Sequence, residues 1–392
     1  MVRGLVAGLV VAVVCSLAGC GSSAVTTSSH ADTAGDGGTS SSAPVDAGSN
    51  AVDLDSMAGL VVSGDTAVLA DSRVPTGFWT GATDEGGRLH ELQGPGNPLW
   101  VKAIVANGNA VFVLGARCDE MLHSDPEVVC SPGTAQLWQL DVPGTSWRHL
   151  ADFGDDDIAG ARFLSTTPDE ISLSVSTLPT PRSVQLHLYD VDLSSGHITS
   201  VGLPAALDAP VTNAQVVICG SADGDRVALA ANDEQSDPSG GVDNRTGRAA
   251  WSMRASDGGW TEVSEPEGVP EGRMATIGCT GPSGSLTFAA GGAGRQTLLV
   301  DPGGSQWRAA ATPPWLVPPM GSGPVLEVGN SGGMSFWTGR TLYRFDATTS
   351  KWAETRFDAP ADVKAVALIG RDRIAAVSSG ADHAPRLSIS TS

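Results

Sequence analysis

Basic residues are scarce in this chain. Its 392 residues hold 23 Lys and Arg against 43 Asp and Glu, a formal charge of −20, and the lysines are three: Lys102, Lys351 and Lys364. Phosphate binding needs a basic footprint, so a nucleic-acid partner is excluded. The acidic excess reads as a solvated, soluble surface. Tyrosine is nearly missing, with Tyr189 and Tyr343 alone. No apolar run approaches the roughly 20 residues that cross a bilayer comfortably. HExxH and P-loop motifs are absent, and no CxxC or HxxxH spacing offers a zinc site. The seven histidines stand singly along the chain, a pattern of structural or solvated imidazoles. What remains is rich in turn formers, with 49 Gly and 24 Pro. That composition predicts many short strands and an all-β fold. The length exceeds one ordinary core, which leaves two domains or one large repetitive one.

The N-terminus carries an address. Arg3 is followed by an apolar run from Leu5 to Leu17 and then by Leu17-Ala18-Gly19-Cys20. A positive start and a short apolar stretch read as a secretory signal. The four residues match the lipobox, in which small side chains let a signal peptidase reach the backbone and a cysteine is acylated. The segment resembles that of bacterial lipoproteins. The resemblance implies cleavage after residue 19, lipidation of Cys20, and a protein anchored in the cell membrane facing outside the cytoplasm. Two or more acyl chains hold stably where one is marginal. Residues 20–50 are Gly, Ser, Thr, Ala and Asp with almost no large apolar side chain, a flexible tether of about 30 Å r.m.s. reach. Residues 51–392 form the folded part.

That part repeats. Seven hairpins are predicted from tight polar turns at Gly64-Asp65, Asn107-Gly108-Asn109, Pro168-Asp169, Asp223-Gly224-Asp225, Pro282-Ser283-Gly284, Gly332-Gly333 and Arg371-Asp372. Each turn leads into a short apolar strand. Six of the seven continue into a second hairpin with a polar slot and a large apolar residue six positions later. The pairs are Thr83 with Leu89, Asp141 with Trp147, Asp192 with Ile198, Arg254 with Trp260, Asp301 with Trp307, and Asp346 with Trp352. A period of 40–60 residues predicts four-stranded units stacked around an axis. The seventh unit lacks its fourth strand, and the expectation is that the N-terminal strand Ala51-Val52-Asp53-Leu54 supplies it, which removes an exposed edge.

Phe288-Ala289-Ala290-Gly291-Gly292, then Val300-Asp301-Pro302 and Trp307, is similar to a kelch repeat. Phe345 to Trp352 and Leu140 to Trp147 match its second half, while the double glycine stands in one unit only. The resemblance implies a kelch-like, seven-bladed β-propeller over residues 51–392. With Cys15 lost in the leader and Cys20 lipidated, four cysteines remain and three pairings are open. Cys118–Cys130 would close one local loop. The repeat alignment favours Cys219–Cys279, which it places late in the first strands of neighbouring blades.

In such a fold the connections between second and third strands, and those between blades, share one face. The expected binding residues lie there. Arg117, Asp119, Glu120 and His123 sit in a long insertion from Ala116 to Ala135. Asp155, Asp156 and Asp157 form an acidic cluster, Asp233, Asp237 and Arg245 a second long loop, and Trp315 a Pro-braced tip. Long loops on rigid scaffolds concentrate binding function. The aspartates suit Ca²⁺ by ligand type, but no EF-hand spacing is present, and no cofactor is expected. Kelch-type copper-radical oxidases and sialidase-type propellers both need tyrosines at their sites, and the two here, Tyr189 and Tyr343, occupy the same structural slot of the repeat. The expectation is a monomeric binding or scaffolding module whose partner is an envelope protein or glycan. The alternative is a glycan-active or other hydrolytic enzyme with its site at the channel mouth.

Overall fold

The computed structural model describes residues 57–71, 76–84, 87–96, 98–124, 127–142, 144–154, 158–180, 183–203, 213–219, 226–235, 244–254, 260–263, 276–280, 285–292, 295–301, 308–310, 327–329, 333–346, 349, 351–359, 363–369, 373–380 and 384–391. Among them are seven four-stranded antiparallel sheets. The first five strands are β1 (Met57–Ser63), β2 (Thr66–Asp71), β3 (Phe78–Ala82), β4 (Gly87–Arg88) and β5 (His90–Leu92). Sheet one is β1-β2-β3-β5. Sheet two is β6 (Leu99–Asn107), β7 (Ala110–Ser124), β8 (Glu127–Asp141) and β9 (Trp147–Phe153). Sheet three is β10 (Ile158–Thr166), β11 (Glu170–Thr180), β12 (Ser183–Asp192) and β13 (Ile198–Val201). Sheet four runs β14 (Asn213–Cys219), β15 (Arg226–Gln235), β16 (Asn244–Arg254), β17 (Trp260–Val263), and sheet five β18 (Thr276–Thr280), β19 (Ser285–Gly292), β20 (Arg295–Asp301), β21 (Arg308–Ala310). Sheet six is β22 (Glu327–Gly329), β23 (Gly333–Thr338), β24 (Thr341–Asp346), β25 (Lys351–Arg356). Sheet seven is β26 (Val363–Ile369), β27 (Arg373–Ser379), β28 (Pro385–Thr391) and β4.

The seven second strands are the seven apolar runs that follow the predicted turns. Of these, β2, β7 and β27 are apolar on both faces and buried on both. In β7, Val111 and Val113 pack toward sheet one, while Phe112, Leu114 and Ala116 pack toward sheet three. In β2, Val68 and Ala70 face sheet two, and Ala67 and Leu69 face sheet seven. In β27, Ala375 and Val377 meet sheet one, and Ile374 and Ala376 meet sheet six. The turns enter positive φ where the sequence offers glycine, at Gly64 and Gly108, each with φ 58°. Sheets three to six continue the series through contacts of β14 with β10, β18 with β14, and β23 with β18.

Most of the second-hairpin frame holds. Leu140 pairs Trp147, Val191 pairs Ile198, Met253 pairs Trp260 and Phe345 pairs Trp352. Asp192 closes its turn by accepting from the amides and hydroxyls of Ser194 and Ser195 at 2.7–3.1 Å. Those donors hold its exposed carboxyl down to about 2. Sheet one corrects the frame by one residue. Ala82 pairs Thr66 as Asp141 pairs Ala110 and Asp192 pairs Glu170, so Ala82, not Thr83, occupies the slot. The Thr83 amide donates to Asp65 O, just as Val142 donates to Asn109 O and Leu193 to Asp169 O, one residue beyond each slot. The shift puts Trp79, not Thr80, level with Trp138 and Tyr189.

Its cause is β4. The chain between β3 and β5 leaves sheet one, pairs Gly87 and Arg88 with Leu387 and Arg386 of β28, and returns. The Leu89 amide also donates to Pro385 O at 3.0 Å. Among the described residues, β4 is the fourth strand of sheet seven. Ala51–Leu54, expected there, lies outside the described residues.

A β-bulge displaces one residue near the start of four first strands, between Met57 and Gly59, Val101 and Ala103, Ile158 and Gly160, and Val363 and Ala365. Opposite the second of these sits Gly115, where a Cβ would lie 2.7 Å from Trp100 O. The close backbone approach explains why glycine stands there. Gly115→Ala is expected to destabilise the fold by about 1–3 kcal/mol through overpacking. Gly160→Ala, with open space around its Cβ position, is expected to stay within about 0.5 kcal/mol of the parent. Urea denaturation of both variants checks the contrast.

Candidate functional site

Antiparallel pairing places the beginnings of the first strands, the ends of the second and the beginnings of the third on one face. Leu99, which opens β6, pairs with Arg117 late in β7, and Ala116 pairs with Ala135 early in β8. The expected long insertion is therefore not a loop. β7 and β8 run on as a paired ladder out to Ser124↔Glu127. Pairing satisfies backbone groups that an unstructured segment would leave to water. The second insertion behaves likewise, with Glu234↔Arg245 and Gln235↔Asn244 extending the β15–β16 ladder. Both ribbons project from the same face.

Arg117, Asp119, Glu120 and His123 belong to β7, and Asp233 and Arg245 to β15 and β16. Cys118 is 7 % exposed and disulfide-bonded, and its amide donates to Pro98 O at 3.1 Å. Cys130 lies on the opposing strand, paired with Met121. Cys219 and Cys279 fall late in β14 and β18, first strands of adjacent sheets, as the repeat implies. Cys20, Asp155, Asp156, Asp157, Asp237 and Trp315 lie outside the described residues. Among the described residues no cluster of three or more His, Cys, Asp or Glu could hold a metal ion, and no helix is long and apolar enough to cross a membrane.

The same face holds a residue that the sequence reading passed over. Lys102 is the bulged residue of β6. Its Nζ is buried without a hydrogen-bond partner and lies 3.1 Å from the centroid of the Trp100 ring. Desolvation lowers its pKa from 10.5 to about 7, since burial disfavours the charged form. The ring face offsets part of that cost. The neighbouring bulge step is built by sheet one: the Thr76 hydroxyl accepts from the Val101 amide at 3.1 Å, and the Thr76 amide donates to Leu99 O at 3.0 Å. A signal existed in the sequence. Lys102 is one of three lysines, and it interrupts the apolar run Leu99 to Val105 without alternation.

A second polar group sits on the outer strands of sheet two. Asp152 accepts from Gln136 Nε2 at 2.8 Å and lies 3.1 Å from His149 Nε2, and Trp138 Nε1 donates to Gln136 Oε1 at 3.2 Å. His149 also meets Trp138 edge-on. These groups satisfy one another.

The four-stranded sheets resemble the blades of a β-propeller, and the chain matches solved propeller domains. No protein-family model matches it, and neither does any curated protein. The β-propeller domain of the trilobed protease from Pyrococcus furiosus aligns over 86% of this chain and 95% of its own, with 9% identity and a TM-score of 0.49. An ulvan lyase of a new polysaccharide lyase family aligns over 85% of this chain and 91% of its own, with 9% identity and a TM-score of 0.50. For the GH74 xyloglucanase from Xanthomonas campestris the values are 84%, 17% identity and 0.46, and the chain spans about half of that protein, 52%. At these identities the likeness is one of fold alone.

The burial of Lys102 has a measurable sign. Its folded pKa lies below its unfolded one, so the native state is penalised fully below pH 7. The penalty fades as pH rises toward 10.5, because the unfolded chain then loses its proton too. Lys102→Met is expected to raise stability at pH 6 by up to about 5 kcal/mol, with the gain vanishing near pH 10.5. Urea midpoints measured across that range check it.

Proposed function

We propose that the chain is a kelch-like, seven-bladed β-propeller, tethered outside the cytoplasm through lipidated Cys20, that binds an envelope protein or glycan through the face carrying the two ribbons. The observation that carries this reading is the ladder β7–β8. It runs on for six residue pairs beyond Ala116↔Ala135, where the tight turns of the opposite face close in two or three residues. Such an extension costs backbone entropy that pairing and a disulfide at Cys118 offset. We assign Cys130 as its partner, and Cys219–Cys279 as the second bridge. The N-terminal signal, the lipobox and the Gly/Ser/Thr tether support the anchored location. The acidic surface supports an exposed, monomeric module with no nucleic-acid role.

Ala116 and Ala135 are both fully buried, so a ribbon deletion must begin beyond them. Replacing residues 118–132 with Asn-Gly, a two-residue hairpin turn, is expected to leave the near-UV spectrum unchanged. The same variant is expected to abolish capture of envelope components in cross-linking followed by mass spectrometry. Capture at the parent level would sink the binding reading. Cys20→Ser is expected to move the protein from the membrane to the soluble fraction and to remove palmitate labelling.

A further inference from the structure

Lys102 is a charged side chain that the fold does not require. The equivalent bulge positions in sheets one and three hold Ala58 and Ala159, so a small residue completes the bulge. Sheet seven has Lys364 there, and that residue has an interaction partner. Lys102 is not: its ammonium has three N–H donors and no hydrogen-bond partner. Trp100 covers one side of it through the ring face, which attracts cations and leaves the donors unused.

Two further observations point to a ligand. Lys102 lies on a first strand, toward the end from which the ribbons project. Across from it, β10 packs against β6, and Gly160, one step past the equivalent bulge, has open space where a side chain would be. A lone ammonium neutralises one negative charge. A dianionic phosphate would ask for more donors than one lysine presents, while a carboxylate matches both the charge and the geometry of a charge-assisted hydrogen bond.

We propose that Lys102, backed by Trp100, is the anchoring point for a carboxylate of the ligand at the inner edge of the ribbon face. The proposal rests on the binding reading of that face and names the chemistry its ligand must carry. Binding turns the Lys102 side chain off the Trp100 ring and into the space beside Gly160. The carboxylate replaces the water that the ammonium lost on burial.

Calorimetric titration of the full-length mature protein at pH 6 with D-glucuronate, D-glucose and N-acetylglycine tests it. Saturable binding of glucuronate but not glucose is expected, weakened at least tenfold in Lys102→Met and in Gly160→Val, each verified as folded by near-UV circular dichroism. Glucuronate alone would assign the carboxylate to an acidic sugar, and N-acetylglycine alone to a peptide terminus. Equal binding of glucose, no binding of either acid, or unchanged affinity in Lys102→Met would overturn the proposal. The two readings fail separately: a ribbon replacement that keeps envelope capture leaves the Lys102 titration intact, and the reverse holds equally.

Discussion

Everything in this structure follows from sheets that are apolar on both faces. A sheet with one apolar face is satisfied by a single partner, but β2, β7 and β27 bury residues on both sides. Each sheet must therefore be flanked twice. Stacking does this for all members of a series except the two at its ends, and here the ends meet: Leu60, Leu69 and Trp79 of sheet one share a core with Ala375, Val377 and Leu387 of sheet seven. Burial at about 25 cal/mol per Å² makes each such contact worth far more than any hydrogen bond at the rim. Some polar residues inside are paired, as where Ser172 Oγ donates to Asp190 Oδ1 at 2.6 Å, while Thr83 Oγ1, Lys102 Nζ and Ser378 Oγ are buried without a hydrogen-bond partner.

The bulges are the second organising device. A bulge lets the first strand turn its side-chain register while its partner continues unbroken. Below the bulge of β6, Leu99 and Val101 face sheet one; above it, Ala103 and Val105 face sheet three. The displaced residue belongs to neither face. In two sheets that residue is alanine and in two it is lysine, so an otherwise structural irregularity became a place where charge can be put without disturbing either core.

Much of the fold was legible in the sequence, because two-sided burial leaves continuous apolar runs that turn residues punctuate. All seven second strands were visible this way. The slot of sheet one was misplaced by one residue because β4 inserts chain between Ala82 and Leu89, and a spacing rule cannot register a strand that leaves its own sheet. The ribbons were read as loops for a different reason. Residues 117–134 mix acids, a histidine and two prolines, without the alternation that marks a strand, while their backbones pair across β7 and β8. Lys102 escaped notice because a bulge cancels the period-two pattern by which an inward residue is recognised.

The pairing of β1 has a mechanical consequence. Tension applied from the N-terminal side is met, among the described residues, by β1 first. Were that strand the outer edge of a sheet, tension would peel it away one hydrogen-bonded pair at a time. β1 is instead an innermost strand, matched to β2 at six residue pairs from Met57↔Asp71 to Ser63↔Thr66 and packed against β6 and β26. A pull along its axis shears those pairs together. The joint between the first and last sheets, β4 on β28, lies thirty residues further along the chain and off the line of force. Tension entering at Met57 thus loads six pairs at once and leaves the seam between β4 and β28 slack.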